Sequence, residues 1–228
     1  IRKSFPVELN LYYFINFEKL FLDKTLDKSF LLTFITCCKF YWKAICNVES
    51  DPEMAYLDLI TAGEVLSNSF NYNSEEIINA EMLSYLSQIE TKLENGTRIR
   101  KKIEKELFGI KSKYVKTILS FIDDNFFISN ESTSNLRVFT KETFEKSIKS
   151  SYDLRSKYIH TGISFGNNIK PDNQCNDMLL GIPIYEDKEI ENIFKYAPTF
   201  IGLERAIRYV LLKYYESKTS KLVLTSES

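Results

Sequence analysis

KETFEKSIKSSYDLRSKYIHTG, residues 141–162, is the stretch on which the reading of this chain turns. On a helical wheel at about 100° per residue, Phe144, Ile148, Tyr152, Leu154, Tyr158 and Ile159 fall within one arc. Thr140, with Glu142 and Thr143, supplies a helix start, and Gly162 supplies the stop. One long amphipathic helix is predicted. Arg155 lies in the middle of its apolar arc. A guanidinium there cannot remain dry and unpaired, because an uncompensated buried charge is strongly unfavourable. A carboxylate, a subunit boundary or a ligand phosphate has to meet it, and Glu64 is the candidate carboxylate. His160 lies about 140° further round an ideal helix, near Asp153 and Ser156. Arg155 and His160 therefore do not share a face, and a site that uses both requires this helix to abut its copy across a two-fold axis.

The rest of the chain reads as more helices. In residues 23–47, Leu26, Phe30, Phe34, Cys38, Trp42 and Ile45 form one stripe at steps of three and four. Asp51 followed by Pro52 opens a second helix, through Tyr56, Leu59, Ile60 and Val65, that contains Glu64. Ser74, Glu75 and Glu76 open a third, over 77–93, stopped by Asn95 and Gly96. In the fourth, Ile99, Ile103, Leu107, Ile110, Tyr114, Ile118 and Phe121 keep one register through Gly109. Residues 129–135 read as a loop, and residues 163–187, rich in Gly, Asn and Asp, as a long one of the kind that tends to be functional or mobile. The last helix carries Leu203, Ile207, Val210, Leu211 and Tyr214 on one side. The expected fold is an all-α bundle of about five or six helices over 23–217. Residues 1–22, with loose alternation and Pro6, read as an N-terminal arm or the end of a preceding domain, and 218–228 as a flexible tail.

Composition narrows the function classes. With 228 residues the chain needs no more than one core, and 7 Gly and 5 Pro leave little punctuation between long helices. The net charge of −1 means that any polyanion must be met by a local basic patch. Cys37, Cys38, Cys46 and Cys175 contain no CxxC pair, and the single histidine leaves no Cys/His metal set. Reduced core thiols in a cytoplasmic protein, no metal and no cofactor are expected. The richest apolar run, 30–38, is shorter than the roughly 18 residues that span a bilayer, so no membrane partner is expected. Ile1 is not an initiator methionine, which leaves room for an upstream sensor domain.

RNA cleavage by transesterification needs a base for the 2′-hydroxyl, an acid for the 5′-oxygen and a cation for the phosphorane. Histidine exchanges protons near neutral pH, and arginine is the best fixed cation for phosphate. Here the residues meet a family. YDLRSKYIHTG resembles the R-x4-6-H signature of the HEPN superfamily, most closely its Apea-like branch, where an Arg-Ser pair precedes a helix end of the form His-x-Gly. The resemblance extends in outline over 50–216, from LITAGEVL at 59–66 to LERAIRYVLLKYY at 203–215. It implies a helical bundle, a homodimer and metal-independent endoribonuclease activity in toxin, antiviral-defence or RNA-processing systems, with an antitoxin as one further partner. Carried onto this chain, Arg155 and His160 are the catalytic pair and Glu64 matches the family's acidic helix; Ser156 and Asp153, near His160 on the wheel, are the further supporting residues. Ser156 stands where many nuclease members have Asn, Asp or His.

Residues 97–117 hold eight basic residues against two acidic ones, and Arg98, Lys101, Lys102 and Lys105 are the candidate RNA-binding patch. The same run also reads as the solvated back of an amphipathic helix. Two other functions remain open: a non-catalytic HEPN module that dimerises or docks a partner, and a nucleotide-binding or modified domain using Tyr158. No phosphate loop or Ser/His/Asp set points to another enzyme class.

Overall fold

The computed structural model describes residues 26–223 apart from 79, 108, 133–135, 172–174, 180 and 182, and gives the backbone alone at 74, 105–107 and 220–223. The arm expected over 1–22 lies outside the described residues. α1 (Lys28–Asn47) starts where the Asp27 carboxylate accepts the amides of Ser29 and Phe30 at 3.2 and 3.3 Å. α2 (Pro52–Ser67) starts as expected at Asp51, which accepts the Met54 amide at 3.0 Å, with Pro52 in the first turn. α2 is the axis of the fold: Tyr56, Leu59, Ile60 and Leu66 are fully buried. It is packed on by α1, α6 (Ile110–Phe121), α8 (Lys141–Thr161), α9 (Gly166–Ile169) and α11 (Phe200–Val223). One hydrophobic cluster runs from Leu26 to Tyr215.

The predicted all-α class holds: the described residues form eleven helices and no strand, with a single isolated bridge between Met178 and Pro198. The excess over five or six comes from breaks that periodicity cannot see. The third predicted helix is split into α3 (Ser74–Ile77) and α4 (Ala80–Lys92). The fourth is split into α5 (Gly96–Leu107) and α6 at Gly109, whose ψ of 151° is extended. Glycine is about 1 kcal/mol less favourable than alanine inside a helix. The break lets α5 turn back along α4 while α6 carries Tyr114 and Ile118 into the core. Gly96 therefore opens α5 rather than simply ending the helix before it.

The buried row of α1 is Phe30, Phe34, Cys37 and Ala44, and Trp42 is 68% exposed. The stripe predicted through Cys38 and Trp42 advances by fours, and each such step rotates about 40° off the previous one, so by Trp42 it has left the core side. Cys46 is exposed and Cys38 half-buried, so only Cys37 and Cys175 are core thiols. Burial pushes the Cys37 thiol up to about 12. α1, with 20 residues and an 18-residue window of mean hydropathy 1.2, is long and apolar enough to cross a membrane by those two measures, unlike the shorter run within it. Its buried row nevertheless packs on α2 and α11.

Two more expectations change. α11 continues to Val223, with Thr219 buried, so the backbone stays helical past the expected tail boundary at 218. Within 163–187, expected as a long functional or mobile loop, several described residues are fastened to the core. Phe165, Ile169, Asn176 and Asp177 are buried, and Asp177 meets Arg205 of α11 in a two-pronged ion pair, Nε to Oδ1 at 2.8 Å and Nη2 to Oδ2 at 2.6 Å. Arg205 also donates to the Phe126 carbonyl at 2.8 Å and lies 4.1 Å over the Phe126 ring, fixing α7 (Asp124–Ile128).

Candidate functional site around Arg155 and His160

α8 runs from Lys141 to Thr161, close to the predicted span, and Gly162 ends it with φ 68°, a left-handed conformation that a side chain would strain. Phe144, Ile148 and Leu154 hold it to the core, and so do the small buried residues Ser147, Ser150 and Ser151. Ile159, placed in the apolar arc by the wheel, is exposed because the helix has run past the end of the core there.

Arg155 faces α2, as its place in the arc requires. Its Nη2 donates to Glu64 Oε2 at 3.2 Å, and its Nη1 to the Tyr152 hydroxyl at 3.4 Å. The guanidinium lies 5.2 Å over the Tyr152 ring. The arginine side chain is 26% exposed and the glutamate 12%, so the pair sits at the rim of the core. Gly63, next to Glu64, lets α6 approach α2 closely: a Cβ there would come within 2.5 Å of the Tyr114 ring. Burial first, and then the negative charge of Glu64, push the Tyr152 hydroxyl up to about 12, so it stays a neutral acceptor for Arg155. Glu64 Oε1 is buried and accepts no hydrogen bond among the described residues.

His160 is exposed near the C-terminal end of α8 and forms no hydrogen bond or ion pair with the described residues. It lines a groove of about 630 Å³ between α8 and α10 (Lys188–Phe194), together with Ser156, Asp153, Lys157, Lys111 and Asn192. Asp153 does not orient the histidine. It is taken by Lys111 at 2.6 Å, while Lys157 is taken by Glu189 at 2.5 Å. Ser156 lines the groove but makes no hydrogen bond with a described group. Within one chain, then, Glu64 joins Arg155 on one side of α8, and Asp153 and Ser156 line the groove with His160 on another.

The basic run is divided. Arg98, Lys101 and Lys102 are exposed on α5, and the Lys105 side chain lies outside the described residues. Arg100 is held by Glu90 at 2.5 Å and Glu104 at 2.8 Å. Lys111, on α6, is the member of the run that lines the groove. Among the described residues no group of three or more His, Cys, Asp or Glu is arranged to hold a metal ion.

Sequence reasoning missed Glu53, which fastens the chain where it leaves α8. One carboxylate oxygen accepts the Ser164 hydroxyl at 2.5 Å and the amides of Phe165 and Gly166 at 2.7 and 2.9 Å. Burial alone would raise this carboxyl, but those hydrogen bonds outweigh it and hold it below its usual range. A depressed carboxyl contributes stability in full above its unfolded value, about 4.3, and loses it as pH falls through the folded value. The protection of the Phe165 and Gly166 amides, taken relative to the intrinsic exchange rate at each pH, should therefore fall on acidification, and Glu53→Gln should lower it at neutral pH by weakening the local tether by about 1–2 kcal/mol. Equal protection in the variant would show that the charge is not what holds the segment.

Comparison of the chain with known protein families, with curated proteins and with solved structures finds no match.

Proposed function

We propose that this chain is a metal-independent endoribonuclease of HEPN type that works as a homodimer, with Arg155 and His160 of both copies around one RNA phosphate. The observation that carries the reading is the state of the two motif residues. Arg155 is fastened by Glu64 and Tyr152 yet a quarter exposed, and His160 stands without a partner on a polar groove, five residues further along the same helix. A fixed cation and an unengaged imidazole are the two groups that phosphoryl transesterification asks for. In the proposed step, one histidine takes the 2′-hydroxyl proton as the oxygen attacks phosphorus. His160 of the partner subunit gives a proton to the departing 5′-oxygen, and the guanidinium groups neutralise the phosphorane. The products are a 2′,3′-cyclic phosphate and a 5′-hydroxyl.

Purified protein incubated with mixed RNA in EDTA should cut it and leave cyclic phosphate ends. Strict dependence on added Mg²⁺ would overturn the mechanism. The separation of Arg155 from His160 on one protomer favours a second reading, a non-catalytic module that dimerises or docks a partner. A stable dimer with no cleavage under any condition is the outcome that selects it.

A further inference from the structure

The groove beside His160 holds a cation that is already matched by an acid from across it. Lys157 precedes His160 by three residues on α8, and both line the groove, so their Cβ atoms lie about 5–6 Å apart on one face of the helix. The Lys157 side chain is 25% exposed and meets Glu189 at 2.5 Å and Asp187 at 3.8 Å. The two acids differ in freedom. Asp187 caps α10, its Oδ1 accepting the Glu189 amide at 2.8 Å, and stays with the helix end. The Glu189 side chain is 68% exposed and can swing back into water. It is not what seats α10, because Ile190, Ile193 and Phe194 are buried and join that helix to the core.

The lining favours one kind of occupant. Lys111 continues the basic wall on α6, Ser156 and Asn192 add a hydroxyl and an amide, and among the residues lining the groove there is no aromatic ring on which a base could stack. Walls of this kind meet a sugar–phosphate backbone rather than base edges. An exposed carboxylate on a lysine is a weak contact, because both groups can be solvated again, so a phosphate that arrives with the rest of a strand can take the carboxylate's place.

We propose that Lys157 seats a backbone phosphate of RNA beside His160, and that Glu189 occupies this seat in the free protein as an internal counter-ion that the phosphate displaces. The inference rests on the RNA reading of this groove, but not on cleavage. While Glu189 is present, the exchange replaces one anion by another. The displaced carboxylate takes up the cations that the phosphate gives up, and this contact adds little to the salt dependence of binding.

The test uses a labelled single-stranded oligonucleotide, 2′-O-methylated at every ribose so that it has no attacking hydroxyl, in EDTA, with binding followed by anisotropy over a range of KCl. Glu189→Gln keeps the size of the side chain and removes its charge. It should tighten binding by about two- to fivefold and steepen the log–log dependence on salt by about 0.7, one further single-strand phosphate. Lys157→Gln should weaken binding, and adding Glu189→Gln to it should gain nothing, which separates displacement from a general change of net charge. Altering the base sequence of the probe should leave these differences in place. An unchanged helical spectrum in each variant shows that the bundle is intact. Unchanged affinity and slope in Glu189→Gln overturn the inference, as does an equal gain in the Lys157→Gln background, or failure of every chain to bind at low salt. Cleavage of unmodified RNA is read separately. A natural chain that shows the exchange without cutting refutes the nuclease reading and supports the seat, whereas a chain that cuts while Glu189→Gln binds no differently refutes the seat alone.

Discussion

Asp177→Ala is expected to cost about 3–5 kcal/mol, the range for removing one partner from a buried ion pair. The Arg205 side chain is 4% exposed and that of Asp177 1%, so the stranded guanidinium would have no route to water. The loss is not confined to the pair. Asp177 Oδ2 also accepts the Phe139 amide at 2.9 Å, and its carbonyl accepts the Thr199 amide at 2.9 Å, so the loop before α8 and the start of α11 are fastened through the same residue. Thermal unfolding should move down by about 6–20 °C for a chain of this size. A paired replacement of Asp177 and Arg205 by apolar residues of matching volume should recover much of the loss, because it removes both the attraction and the desolvation penalty. A drop of less than about 1 kcal/mol in Asp177→Ala would mean that the pair is screened like a surface bridge.

His160→Ala should reduce RNA cleavage by about 10²–10⁴-fold, the usual contribution of a general acid or base, and leave the melting temperature almost unchanged. The imidazole is exposed and bonds to no described group, and substitutions of that kind shift stability by less than about 0.5 kcal/mol. Loss of activity would then be chemical rather than structural. Arg155→Lys is the matching probe on the other face of α8. It keeps a charge near Glu64 but cannot span Glu64 Oε2 and the Tyr152 hydroxyl with a rigid planar fork. Cleavage should fall while dimerisation and helix content persist. Arg155→Ala is the less informative change, because it leaves the mostly buried Glu64 without a cation. Undiminished cutting by His160→Ala would refute the catalytic role.

The parts of this architecture that were legible in the sequence are those set by local chemistry. Asp51 with Pro52, Thr140 and Gly162 mark helix ends because capping involves only neighbouring residues. The Arg155–Glu64 contact was also legible, although 91 residues separate the pair, because a charge in an apolar arc must find a counter-charge. The breaks at Gly109 and within 74–92 were not, since apolar spacing continues across both and only the tertiary path of α4 and α5 requires the turn. Asp177 was illegible for a different reason. It lies in a segment whose composition is that of a solvated loop, and its partner Arg205 looks like any polar residue of an amphipathic helix until α7 and α11 close over it. The groove beside His160 needed α10, whose seven residues carry too little periodicity to be placed from sequence.

The hairpin of α4 and α5 packs chiefly on itself, and its buried Leu86, like the nearby Ile78, stands outside the main hydrophobic cluster. Such a unit unfolds in its own right, at a cost below that of melting the bundle. The chain therefore has two tiers of cooperativity. The basic residues Arg98, Lys101 and Lys102 ride on the lower tier, so whatever polyanion they meet acts on an element whose opening is governed by a few contacts and the Arg100–Glu90 bridge. Ionic strength thus acts on the closed population of this arm through that bridge, while the helices that carry Arg155 and His160 remain folded.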